Sequence, residues 1–363
     1  MSIKISDRND ILAMLAIFEE LNFTFYDLAP DRTLLTLNEN LQPYNEYFSI
    51  RMPKGRLESL QIRAGRFRLR TLNPLALLNA LTYLDLGSVT WIFELSPLAN
   101  LTDLIYLDMD DGVNIRDLSP LGRLTKLDYL TLKRLRLVKD LSPLASLTGL
   151  KHLELSGGGA LEDLAPIGRL QELTLLDLSG GRHLKDISAL AGLDKLKNLN
   201  LAKSFQLHDI EAVGRLVHLN YLNLGECPQL ENLEPLAGLS SLASLVLAGN
   251  SQIQDFSPLS RLSELSYLAV SSGSMSDLSP LSPLAKLIHL DICGNPEIQD
   301  LRPLAELKSL THLNLSSCPA IEDLTPLLEL TRLNYLDLSG TRALKGLQEL
   351  AQKKDLKIMG PKL

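Results

Sequence analysis

Leucine and isoleucine occupy the same places in a unit that restarts every 23 residues along most of the chain. Its polar anchors are Thr71, Glu94, Asp117, Asp140, Asp163, Asp186, Asp209, Asn232, Asp255, Asp277, Asp300 and Asp323, with a truncated copy from Gly346; only the step from Asp255 to Asp277 is 22. In the copy from Asp140, Leu150, Leu153 and Leu155 lie on an LxxLxL spacing. The last two alternate with polar His152 and Glu154, the period-two signature of a short strand with one buried face. Upstream, Leu141, Leu144 and Leu147 flank Ser142 and Pro143. This predicts a short helical turn, with Ser142 as cap and Pro143 at the first position, where its missing donor costs nothing. Proline recurs at that slot in ten units, from Pro74 to Pro326, which predicts one or two turns of 3₁₀ type rather than a long helix. A unit this small cannot bury its own core, so copies stack into a solenoid, strands on one side and turns on the other.

An open stack exposes apolar ends. Between residues 6 and 21, Ile11, Leu12, Met14, Leu15, Ile17, Phe18 and Leu21 form an apolar stripe at helical spacing, started by Ser6 or Asp7, which predicts a capping helix. Residues 33–37 and 47–52 alternate like strands joined by a polar turn over 38–45, and Leu57, Leu60 and Ile62 make a first irregular unit. The expected organisation is an N-terminal cap of helix and strands over 1–56, about 13 units of 22–24 residues over 57–345, and a truncated capping copy over 346–363.

Units such as Ile253-Gln-Asp-Phe-Ser-Pro-Leu and Ile298-Gln-Asp-Leu-Arg-Pro-Leu resemble the leucine-rich repeats of bacterial internalins and of similar short-unit proteins, including phosphatase-1-regulatory types. The likeness covers residues 57 to about 358. It implies an α/β solenoid: a leucine-rich-repeat horseshoe with a parallel concave β-sheet, short 3₁₀ or helical convex turns and a helical N-terminal cap. For function it implies recognition of a protein on the concave face. The chain departs from internalins in its 23-residue unit, in its lack of an export signal, and in having no following immunoglobulin-like segment or wall anchor. Adhesion therefore stays an alternative reading, that of an internalin-like surface protein whose export signal is missing from this chain.

Read down its columns, the unit sorts residues by role. One strand column holds Tyr83, Tyr106, Tyr129, His152, Leu175, Asn198, Tyr221, Ser244, Tyr267, His289, His312 and Tyr335, and so six of the nine tyrosines. The column two residues on holds Asp85, Asp108, Thr131, Glu154, Asp177, Asn200, Asn223, Val246, Ala269, Asp291, Asn314 and Asp337. Both point to solvent if the leucine between them is buried, giving an aromatic ridge beside an acidic and amide ridge, suited to a basic and apolar partner. The pattern is interrupted by the single tryptophan, Trp91, with Phe93, by the acidic trio Asp108, Asp110 and Asp111, and by Lys133, Arg134 and Arg136. The expected partner-binding residues are therefore Tyr83, Trp91, Tyr106, Asp108, Asp110, Asp111, Tyr129, Lys133, Arg134, His152, Tyr221 and Tyr267. Upstream, Arg63, Arg66, Arg68 and Arg70 with Arg51, Lys54 and Arg56 form a basic cluster.

Composition narrows the choice of partner. Net charge is −7, with 36 basic and 43 acidic residues, and no aromatic set interleaves the arginines, so a protein is expected as partner and nucleic acid is not. No run of 18 apolar residues and no signal peptide is present, which predicts a monomeric cytoplasmic protein of bacterial type, or one delivered by a non-classical secretion route. Two of the three cysteines, Cys227 and Cys318, share a ladder column with Asn250 and Asn295 and are read as buried. Cys293 faces the strand side as a weak nucleophile candidate. Nothing matches a phosphate loop, a nucleophile elbow or a metal cluster, and His289 and His312 alone are too few to hold zinc. Neither catalysis nor a cofactor or metal is expected.

Overall fold

The computed structural model describes residues 3–5, 8–20, 26–28, 35–37, 48–51, 57–62, 71–88, 90–342 and 345–360. The basic cluster over 63–70, Lys54 and Arg56, the helix start at Ser6 or Asp7 and the turn over 38–45 lie outside these residues. The chain forms two compact units, residues 1–178 and 179–363.

In the first unit, β1 (Ile3–Ile5), α1 (Arg8–Glu20), β2 (Tyr26–Leu28) and β3 (Leu35–Leu37) precede β4 (Phe48–Arg51) and β5 (Ser59–Ile62). Ala13, Met14 and Ile17 of α1 are fully buried, as the apolar stripe predicts. Asp10, itself buried, ties the helix to the first repeat by accepting the Leu57 N–H at 2.7 Å. The expected hairpin between 33–37 and 47–52 is not formed. Strand β3 pairs antiparallel with β1 and β2, while β4 pairs antiparallel with β5 and thereby covers the edge of the first repeat strand. Alternation located these strands; pairing depends on contacts distant in sequence, to which alternation is blind.

From β5 the strands run parallel: β6 (Tyr83–Ser88), β7 (Tyr106–Asp110), β8 (Tyr129–Leu132), β9 (His152–Glu154) and β10 (Leu175–Asp177). The second unit repeats the plan with β11 (Asn198–Asn200), β12 (Tyr221–Asn223), β13 (Ser244–Val246) and β14 (Tyr267–Ala269). It continues through β15 (His289–Asp291), β16 (His312–Asn314) and β17 (Tyr335–Asp337) to β18 (Lys357–Met359). Register keeps equivalent residues side by side, so Leu153 abuts Leu130 and Leu176. The repeating leucines, such as Leu150, Leu153 and Leu155, show no exposed surface.

Opposite the strands each repeat makes a 3₁₀ turn, such as Ser142–Ser146. Its cap differs from the expected one. The hydroxyl of Ser142 does not cap the turn; instead the anchor Asp140 accepts the Ser142 N–H at 2.8 Å, and Asp117, Asp163, Asp186, Asp209, Asp255, Asp277, Asp300 and Asp323 do the same two residues on. A carboxylate is the stronger acceptor, and it reaches the free donor from outside the turn. Hydrogen bonds from the side chain and from the backbone N–H of the residue two positions on hold Asp117, Asp140, Asp186, Asp255, Asp277, Asp300 and Asp323 below the ordinary carboxylate range. At the C-terminal end α2 (Leu347–Ala351) replaces the 3₁₀ turn, and Lys353 Nζ donates to the Leu328 and Leu330 carbonyls at 2.8 and 3.1 Å.

A ladder of buried polar side chains links consecutive repeats. Asn250 Oδ1 accepts the Cys227 N–H at 2.7 Å, and its Nδ2 donates to the Leu224 and Leu247 carbonyls at 2.8 and 2.9 Å. Asn295 bridges Met275, Val270 and Ile292 in the same manner. Cys227 and Cys318 occupy this column fully buried, as expected. Burial pushes the Cys227 thiol up to about 11.

Two outcomes test this reading. Asn250→Ala strands one N–H and two carbonyls without partners, and should cost about 2–4 kcal/mol in chemical denaturation; a loss below 1 kcal/mol would show the ladder to be dispensable. Hydrogen bonds from Thr325 and the nearby Lys345 ammonium hold Asp323 at about 2. Because that value is depressed, its contribution is complete above the ordinary value of 3.8 and disappears as pH falls toward 2. Asp323→Asn, which can keep the backbone bond as Asn232 does with the Glu234 N–H, should flatten the fall in melting temperature between pH 5 and pH 2.

Candidate functional site

The strand face of the first unit carries the densest set of the expected residues. In-register parallel strands stand about 4.8 Å apart, so flat side chains on one column can stack. Tyr83, Tyr106, Tyr129 and His152 do so, with ring centroids 4.2, 4.2 and 4.0 Å apart and interplanar angles of 10°, 13° and 23°. Each pair adds about 0.5–1.5 kcal/mol beyond its burial, so the four rings form a stiff ridge. Leu175 ends it.

In the second column the structure assigns a role that sequence reasoning missed. Asp85, Asn200, Asn223, Asp291, Asn314 and Asp337 each turn an oxygen back to accept the N–H two residues on, at 2.8–3.1 Å. Much of the supposed acidic and amide ridge therefore bonds its own backbone, at the end of the strand in every case but Asp85, whose strand runs on to Ser88. The signal was available: acid and amide alternate freely there, which suits an Asx turn better than recognition of charge.

Asp108 departs from this rule. Strand β7 runs through Met109 to Asp110, and neither Asp108 oxygen accepts the Asp110 N–H. Asp108 Oδ2 lies 3.4 Å from the Tyr106 hydroxyl, and its buried Oδ1 has no hydrogen-bond partner. Beside it in register is Thr131, fully buried, whose hydroxyl also lacks a partner. Burial first, then the carboxylates of Asp110 and Asp85, push Asp108 up to about 6. Burial also raises the Tyr106 phenol, which stays neutral.

The neighbouring acidic and basic clusters, expected to face a partner, largely neutralise each other. Lys133 lies 3.1 Å from Glu154 and 3.5 Å from Asp110, and Arg134 lies 2.6 Å from Asp111. His152 Nε2 is 2.7 Å from Glu154 Oε1, and Gln61 donates to Asp85 at 2.6 Å. Equivalent positions 23 residues apart become adjacent once the units stack. Asp111 and Arg134 have φ of 58° and 59°, in the column where Gly157 and Gly180 make the same left-handed turn at no steric cost.

The remaining expected residues lie elsewhere. Trp91 and Phe93, 47% and 61% exposed, sit in the loop after β6; Phe93 lines a cleft of about 230 Å³ with Leu72, Ile92 and Pro97. Tyr221 and Tyr267 belong to the second unit. Tyr221 is flanked in register by Asn198 and Ser244. Tyr267 opens a looser series through His289, His312 and Tyr335, with centroids 6.2, 4.3 and 5.8 Å apart. Cys293 is half-buried, and burial followed by Asp291 pushes its thiol up to about 11, which disfavours the thiolate at neutral pH. Among the described residues no helix is long and apolar enough to cross a membrane.

Comparison with known proteins agrees with this geometry. A family model for leucine-rich repeats, in two copies, matches residues 285–329. No curated protein matches the chain by sequence. Among solved structures, the chain is similar to an internalin, InlF, of Listeria monocytogenes, at 25% identity and a TM-score of 0.74 over 99% of this chain and 96% of that one. It is also similar to a leucine-rich-repeat protein of Leptospira interrogans, at 22% identity and 0.65 over 80% and 81%. A third likeness is to TLR13 in its complex with ssRNA13, at 23% identity and 0.58 over 79% of this chain and 47% of that one. Residues 285–329 match leucine-rich repeats, and the chain has the fold of leucine-rich-repeat proteins. Its repeats resemble those of internalins, and the fold is one typical of protein interaction modules.

The raised pKa of Asp108 has a measurable consequence. Folding favours its protonated form between the ordinary value of 3.8 and about 6, so the ionised group destabilises the fold above pH 6 and ceases to do so below 3.8. Asp108→Asn should raise stability at pH 7.5 by about 1 kcal/mol, after allowance for solvent screening of the half-buried carboxylate, and by nothing at about pH 3. An equal gain at both pH values in thermal melts would contradict this.

Proposed function

We propose that the protein works by binding another protein across the strand face of its first unit, and that it is a binding module rather than an enzyme. The observation that carries this reading is the continuous ridge of Tyr83, Tyr106, Tyr129 and His152 beside the half-buried Asp108. Stacked tyrosines offer a large amphipathic contact surface with little conformational freedom left to lose on binding. Such a preformed face suits a regulator, an inhibitor of immunity type, or an effector delivered into another cell. Trp91 and Phe93 would extend the contact at the margin as exposed aromatic anchors.

A second reading, a surface or adhesion protein, is supported by the likeness to InlF along nearly the whole of both chains. Cell fractionation separates the two, because the surface reading requires the native protein outside the cytoplasm.

The test of the main reading is affinity capture with the full chain and with a Tyr106→Ala, Tyr129→Ala double variant, both shown to be folded by circular dichroism. A partner protein retained by the parent should be retained at least tenfold less by the double variant. Equal retention by the two would overturn the assignment of this face.

A further inference from the structure

We propose that Asp108 and Thr131 form a seat for an arginine side chain of the partner protein, a reading that rests on the strand face of the first unit being the contact surface. In six other repeats the residue equivalent to Asp108 is an acid or amide that accepts the N–H two residues on, so its side chain is accounted for by the fold. At Asp108 that use is absent, and Oδ1 is left buried without a partner.

Thr131 supplies the independent observation. It has no exposed surface, it stands in register between Asp108 and Glu154, and its hydroxyl makes no hydrogen bond to either. A buried hydroxyl without a partner weakens a fold, and valine would fill the same volume without that cost. Two acceptors thus lie side by side on adjacent strands, each lacking a donor. On the same face they are bordered by the rings of Tyr106 and Tyr129 two residues back, and by Asp110 and Lys133 two residues on.

The chemistry favours a planar cation with several N–H donors. A guanidinium presents a fork of donors in fixed geometry, which serves a carboxylate oxygen and a neighbouring hydroxyl together, and its flat face suits the aromatic wall. A single ammonium is already present: Lys133 lies between Asp110 and Glu154, and it leaves Asp108 Oδ1 unpaired. Among the described residues no group of three or more His, Cys, Asp or Glu side chains is arranged to hold a metal ion. Entry requires Lys133 to turn aside, which its partly exposed, flexible stem permits.

The experiment is a calorimetric titration of the full-length protein at pH 7.5 with Nα-acetyl-L-arginine methylamide, with its uncharged citrulline counterpart, and with calcium chloride. Saturable binding of the arginine derivative is expected, tenfold or more weaker in Asp108→Asn, several-fold weaker in Thr131→Val, and unchanged in Asp337→Asn, whose carboxylate closes its own strand. Thr131→Val should also melt at a higher temperature than the parent, which separates loss of the seat from loss of the fold. Absence of arginine binding, equal binding of the citrulline compound, saturable calcium binding lost in Asp108→Asn, or a lower melting temperature for Thr131→Val would each overturn the proposal. Partner capture distinguishes its failure from that of the face. Capture abolished by the tyrosine double variant but indifferent to Asp108→Asn sinks the seat alone, whereas capture indifferent to the double variant sinks the face.

Discussion

Each repeat completes its hydrogen bonds and buries its leucines only against the next, and the rest of the structure follows from that dependence. Asn250 satisfies the N–H of Cys227 and the carbonyl of Leu224 in the preceding repeat as well as a carbonyl of its own. Leu153 is covered by the leucines directly beside it on β8 and β10. A 23-residue segment cannot do either alone, so the spacing of the unit, once established, fixes the register of every strand.

Register in turn generates the surface. Because equivalent residues lie one strand spacing apart, a tyrosine copied into neighbouring repeats becomes a stacked ridge, and a cation in one repeat meets an anion in the next, as Lys133 meets Asp110 and Arg134 meets Asp111. The same geometry makes departures conspicuous. In β7 the carboxylate of Asp108 lacks the backbone partner that six of its counterparts have, and the face acquires a buried carboxylate oxygen and a buried hydroxyl that no hydrogen bond satisfies. Sites that violate the local rules of a fold without compensation are where function is best sought.

Much of this was legible beforehand in particular residues. The LxxLxL spacing of Leu150, Leu153 and Leu155 identified strand and core, Pro143 identified the short turn, and the ladder column explained Cys227 and Cys318. The tyrosine column was legible as a column, though not as two separate series of rings. Two expectations differ from the structure. Asp140, the anchor of the same unit, caps the turn in place of Ser142, and the strands flanking residues 38–45 pair with other strands rather than with each other. The charges between Asp108 and Arg134 are partly exposed, but their ion-pair partners, 23 residues away for Lys133 with Asp110 and for Arg134 with Asp111, are not visible in the local pattern.

The sequence by itself determined the unit, the elements within it and the side of each element that is buried, because those depend on periodicities of two, three and 23 residues along one chain. Only the tertiary structure decided which polar groups remained without partners. That depends on distances between neighbouring repeats and on the backbone beyond each strand residue: Asp85 finds the Gly87 N–H, and Asp108 Oδ1 finds no donor.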